Sequence, residues 1–161
     1  MKRISLILLT AVMLLSLVGC GATDIDLQEE NFSFIYNGTK ITLGAEAAPI
    51  IDALGEPRSY TEEPSCAFEG MDKTYYYGSF YLSTYPMDDK EFVYSFWFVD
   101  DSVATEDGVR IGNTQADIEL VYGVDCFDGT NTYTQSAGKS KLTIILIDGL
   151  VTSIQCEIII E

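Results

Sequence analysis

Apolar and polar residues alternate through Phe32-Ser33-Phe34-Ile35-Tyr36 and again through Thr39-Lys40-Ile41-Thr42-Leu43, with Asn37-Gly38 between them. Asn-Gly supplies the positive φ angles of a type I′ turn, so the pattern predicts a β-hairpin. Ala45 to Leu54 then reads as a short helix carrying Ala47, Ile50, Ile51 and Leu54 on one face, stopped by Gly55 and kept from resuming by Pro57. Tyr75 to Tyr77, Phe80 to Tyr85 and Phe92 to Val99 are dense in aromatic and β-branched residues and predict strands. Asp100-Asp101 predicts a turn, with Ser102 to Thr105 continuing as a short strand. Farther on, Leu142 to Ile147 and Leu150 to Ile158 flank Asp148-Gly149 as a second hairpin.

Part of this pattern recurs. Ile41-Thr42-Leu43-Gly44 matches Val109-Arg110-Ile111-Gly112, and at the same spacing of 68 residues Ile50 meets Ile118, Leu54 meets Tyr122 and Gly55 meets Gly123. The recurrence predicts an α+β fold, with two tandem helix-plus-antiparallel-sheet repeats, at about 41–105 and 109–161, forming one layered domain.

The chain's start is of a different kind. Lys2 and Arg3 precede an apolar run from Ile4 to Val18, which Leu17-Val18-Gly19-Cys20 closes. A positive head, a short apolar stretch and small residues at its end describe a secretory signal, and the run is shorter than the ~20 residues that span a bilayer. The closing residues resemble the lipobox of bacterial lipoproteins. That resemblance implies cleavage after Gly19, lipid on the Cys20 thiol and a place on the outer face of the cell membrane. Residues 20–30, with Asp24, Asp26, Glu29 and Glu30, read as a flexible acidic tether to a globular domain over 31–161.

Such cleavage takes away 19 of the 161 residues and two of the nine basic side chains. It leaves 142 residues with seven basic side chains against 25 acidic ones, a net charge of about −18. That is enough chain for one domain with its own core. Nucleic acid is excluded as a partner, since phosphate contacts need clustered Lys and Arg. Three cysteines remain beside Cys20, namely Cys66, Cys126 and Cys156; an odd number leaves one thiol over. Either all three are small buried hydrophobes, or one bridge forms, with Cys126–Cys156 the favoured pair.

The chain has no histidine, which excludes the serine–histidine and cysteine–histidine arrangements and removes the usual proton shuttle of neutral pH. The adjacent acids Asp88-Asp89, Asp100-Asp101 and Glu106-Asp107 fall at predicted turns, where solvated carboxylates are expected. They match neither EF-hand spacing nor a zinc pattern, and no cofactor or metal is expected. Paired carboxylates leave one enzymatic alternative, a glycan hydrolase of the envelope.

The aromatic strands carry the other reading. Strict alternation places Phe92, Tyr94, Phe96 and Phe98 on one side of a strand and Val93, Trp97 and Val99 on the other, so both sides are apolar. Either both faces are core, or one is an open binding surface. On the second reading Tyr76, Tyr81, Tyr85, Tyr94 and Trp97 are the candidate partner-contacting residues.

The stretch Ile41 to Pro57, with its aromatic strands following, resembles the SmpA/OmlA-type outer-membrane lipoproteins and the β-lactamase inhibitory protein (BLIP) fold, though the former carry a single unit. The resemblance implies protein binding by a sheet face and no catalysis. The expected function is therefore that of a lipid-anchored, extracytoplasmic, non-catalytic module that binds another envelope protein.

Overall fold

The computed structural model describes residues 30–127 and 129–160. The expected signal peptide, Cys20 and all but the last residue of the expected tether lie outside the described residues.

The first hairpin forms as its turn chemistry dictates. Strands β1 (Ser33–Tyr36) and β2 (Thr39–Thr42) pair antiparallel, and Asn37 and Gly38 take φ values of 48° and 84°. Helix α1 (Ala47–Leu54) follows, then strands β3 (Ser59–Pro64), β4 (Met71–Tyr76), β5 (Phe80–Met87) and β6 (Lys90–Phe98). Helix α2 (Gln115–Tyr122) leads to β7 (Thr132–Ala137), β8 (Ser140–Ile147) and β9 (Leu150–Ile158). Asp148 and Gly149, at φ 52° and 76°, turn β8 into β9.

Seven strands form one antiparallel sheet in the order β3-β4-β5-β6-β9-β8-β7; β1 and β2 form a separate ribbon. This corrects the expected fold class. The described residues are mostly β, 48% strand against 12% helix, and do not form a layered α+β pair of helix-plus-sheet repeats. Each helix has only eight residues, about 12 Å of length. Helix α2 buries Ile118 alone and leaves Leu120 86% exposed. The strands of the two expected repeats join edge to edge in one sheet, through β6 and β9, where Phe96 pairs with Cys156 and Phe98 with Ile154.

Much of the covering layer comes from the β1–β2 ribbon. Phe34 is fully buried, with its ring 5.0, 4.7 and 4.9 Å from those of Phe80, Phe96 and Phe98. Ile41, Ala47, Ile50 and Ile118 complete the layer over Leu82, Val93, Leu142, Ile144 and Ile154. Both helix entries are pinned to this sheet. Gly44 N–H donates to the Val93 carbonyl at 2.8 Å, and Gly112 N–H donates to that of Val151 at 2.8 Å. At α2 a capping box adds to the hold: Asp117 N–H donates to the Thr114 hydroxyl, and Thr114 N–H donates to the Asp117 carboxylate.

Three further expectations change. Ser102 to Thr105 is turn and coil, because Ser102 N–H donates to Asp100 Oδ1 at 2.9 Å and closes a local turn. Strands β3 and β7 had no sequence signal. They are the two sheet edges, and neither buries a residue fully, so selection for alternation is weak. Among the described residues the three cysteines are free, Cys126 and Cys156 included; Cys66 is exposed and Cys126 half-buried, which leaves Cys156 as the one buried hydrophobe of the three.

Candidate functional site

No described helix or strand lies over the second face of the seven-stranded sheet. Cross-strand register fixes what it displays. Tyr76 pairs with Tyr81, Tyr81 with Trp97, Trp97 with Gln155 and Gln155 with Thr143, giving one row across five strands. The Tyr76 and Tyr81 rings stack at 4.6 Å, and Trp97 follows at 6.1 Å. Trp97 is 50% exposed and Tyr81 37% exposed. The next row is polar: Thr74, Ser83, Ser95, Glu157 and Lys141, with the Thr74 and Ser83 hydroxyls 3.2 Å apart and Lys141 paired to Glu157 at 2.9 Å.

Beyond that row the aromatic character returns, by way of a bulge. Ser83 pairs with Ser95 but Thr84 pairs with Val93, so Tyr94 is an extra residue on β6. The bulge overturns the strict alternation expected for this strand. Val93 turns into the core at 0% exposure, while Tyr94 joins Trp97 on the uncovered side. Tyr85 lies 6.3 Å from Tyr94, 5.9 Å from Phe92 and 5.0 Å from Phe68, ring centre to ring centre. Burial raises the pKa of both Tyr85 and Tyr94, and at Tyr94 the nearby Glu157 carboxylate adds to the rise while Lys141 opposes it.

The five aromatic residues singled out in the sequence, Tyr76, Tyr81, Tyr85, Tyr94 and Trp97, thus share one face. Sequence reasoning missed Phe68, Asp72 and the Lys141–Glu157 pair. Phe68 is a lone aromatic residue in the six-residue loop from Ser65 to Gly70, and Asp72 precedes the aromatic run by which its strand was recognised. The acid pairs do other work. Asp88 and Asp89 make the β5–β6 turn with φ values of 52° and 61°. Asp107 accepts from the Tyr122 hydroxyl, and Glu106 from the Ser33 hydroxyl.

A wide groove of about 740 Å³ lies on the opposite side of the sheet, between α1 and the β3–β6 end. It holds Asp52, Glu62, Glu69, Asp88, Asp89 and Glu91. Glu91 is tied to the Lys73 ammonium and accepts from the Tyr75 and Thr84 hydroxyls at 3.4 Å each. The Tyr60 hydroxyl donates to Glu62 at 2.5 Å, which pushes the Tyr60 pKa up to about 12. No three His, Cys, Asp or Glu side chains gather to hold a metal ion among the described residues.

Comparison with protein families, with curated proteins and with solved structures finds no match for this chain.

Proposed function

We propose that this chain is a lipid-anchored, extracytoplasmic lipoprotein that binds another envelope protein, without catalysis, through the uncovered face of its sheet. The observation that carries the reading is the gathering of Tyr76, Tyr81, Tyr85, Tyr94 and Trp97 on that one face, with Trp97 half exposed. Tyrosine and tryptophan bring large contact area at small entropic cost and dominate the energetics of protein interfaces. The Ser and Thr row between the aromatic patches supplies hydrogen-bonding groups of the kind an interface rim carries. The anchor rests on Leu17-Val18-Gly19-Cys20.

The hydrolase alternative has less support. Its best-placed acid, Glu91, already has both carboxylate oxygens engaged by a lysine and two hydroxyls, which leaves neither free to meet a glycosidic oxygen.

A photo-crosslinking residue at position 81 or 97, and at the exposed Leu120 as control, tests the binding reading in the native cells. A partner captured from 81 and 97 but not from 120 supports it; equal capture from all three, or none from the sheet face, sinks it. The anchor is tested separately: Cys20→Ala should abolish palmitate labelling and release the protein from the membrane.

A further inference from the structure

At the Tyr94 end of the uncovered face the sheet carries a pocket of about 270 Å³, lined by Cys66, Phe68, Asp72, Tyr85, Tyr94 and Ile160 among others. Tyr85 connects its other two rings. Its ring meets Phe68 at 30° and Tyr94 at 84°, so the three rings wall a corner. Asp72, on β4, lines this pocket, whereas its neighbour Met71 lines the groove on the other side and Lys73 borders both.

The carboxylate of Asp72 is the unusual feature. Its Oδ1 is buried and has no hydrogen-bond partner among the described residues. Nearby ammonium groups are committed elsewhere, that of Lys73 to Glu91 and that of Lys141 to Glu157. A buried carboxylate oxygen without a donor is costly, and a cation is the partner that answers it best. Aromatic rings attract the same kind of group, because their faces are negative.

We propose that this pocket takes an alkylammonium, presented as a lysine side chain of the bound protein. The Asp72 carboxylate accepts from the ammonium, while Phe68, Tyr85 and Tyr94 surround the charge and its methylenes. The surplus of acidic over basic residues in the chain, 25 against nine, favours a basic partner surface in the same direction. The inference rests on reading this face as a binding surface and names the chemistry that one end of it selects.

The test is a titration of the purified full chain, labelled on its tyrosine rings, with n-butylammonium followed by NMR. Saturable shifts are expected at Tyr85 and Tyr94 and not at Tyr60, which lies by Tyr75 and Glu62 beyond the other face. Asp72→Asn should weaken binding about tenfold, the worth of one desolvated charge-assisted hydrogen bond. Asp88→Asn, the same charge change in the β5–β6 turn, should leave it within about twofold, as for a screened surface charge. n-Butanol, equal in length but uncharged, should not bind in the same range.

Equal binding of butanol, an unchanged affinity in Asp72→Asn or an equal loss in Asp88→Asn would each overturn the assignment, and tighter binding of n-propylguanidinium would overturn the choice of lysine. Should Asp72→Asn fail to fold, Tyr94→Leu keeps the question open to measurement, since unaltered binding there removes the aromatic wall from the explanation. Because butylammonium needs no protein partner, the two readings fail separately. Pocket binding without capture from positions 81 and 97 sinks the wider face, and capture without pocket binding sinks the pocket.

Discussion

Trp97 and Phe98 are neighbours on β6 that face opposite sides of the sheet, so their alanine variants weigh the two faces against each other. Phe98 is 1% exposed, with its ring 4.9 Å from Phe34 and 5.8 Å from Phe96. Phe98→Ala removes a ring from a closed cluster and leaves a cavity, a loss of about 3–5 kcal/mol. Trp97 is 50% exposed. If a tryptophan side chain offers up to about 250 Å², roughly half of it is out of water, equivalent to about 3 kcal/mol at 25 cal/mol per Å². The retained Cβ and a compact unfolded chain reduce that to about 2 kcal/mol. No cavity follows, because solvent reaches the site.

Urea unfolding followed by circular dichroism measures both variants on one scale; Trp97 is the sole tryptophan, so its fluorescence is lost in one of them. With a slope of about 2 kcal/mol per molar, the Phe98→Ala midpoint should fall roughly 1 M below that of Trp97→Ala. Coincident midpoints would mean that Trp97 is packed as closely as Phe98, and the uncovered face would not exist.

Gly44 and Gly112 both take positive φ, at 76° and 86°, but a Cβ on Gly44 would sit 3.1 Å from Asn31 Nδ2 and 3.4 Å from Ile158 Cδ1, while one on Gly112 meets nothing within 4 Å. Both alanine variants should lose about 1–2 kcal/mol for the backbone conformation, with Gly44→Ala losing more; thermal unfolding in the reverse order would contradict this. Burial raises the pKa of Tyr75 and Tyr122, helped by Glu91 at the first and Asp107 at the second. Their folded states hold the proton more tightly than the unfolded chain, so the stability they contribute is intact below about pH 10 and is lost as pH rises through the folded values. Tyrosine absorbance and circular dichroism should therefore change together in alkali, and ionisation of all ten tyrosines near pH 10 with the fold intact would refute the sign. Cys66 is exposed, and burial raises the thiol pKa of Cys156. A thiol reagent should label Cys66 in the native protein and Cys156 only in denaturant, and equal rates would count against the packing of β9.

What could be read from the sequence was local. Asn37-Gly38 and Asp148-Gly149 specify their turns through the φ values that those residue types tolerate, so both hairpins follow from two residues each. The helix stops at Gly55 and Gly123 are of the same kind, each closed by an N–H donated to a carbonyl four residues back. The Tyr94 bulge is not local. It exists because Ser83-Thr84 on β5 meets Val93-Tyr94-Ser95 on β6, and no pattern along β6 alone carries that information. Alternation therefore grouped Tyr94 with Phe96 and Phe98, and Val93 with Trp97, whereas each of the two lies on the other side of the sheet. Edge strands fail for a related reason: Ser59–Pro64 buries nothing, so its sequence records Glu62, Glu63 and Pro64, the charges and imino acid that guard a free edge.

The fold class was misjudged where the sequence was silent about amounts. Apolar residues on both sides of the strands allow a sheet covered twice or a sheet covered once, and the choice depends on how much cover the chain can provide. Seven strands about 4.8 Å apart make a sheet roughly 30 Å wide. Two helices and a two-stranded ribbon, each about 10 Å across, fill about that width once. Phe34 and Ile41 of the ribbon take central places that a longer helix would otherwise need, and among the described residues no element is left for the second face. Aromatic residues on that face are therefore unaccounted for by folding alone, and their clustering, from Tyr76 through Trp97 and from Phe68 through Tyr94, is the physical reason to look for what they bind.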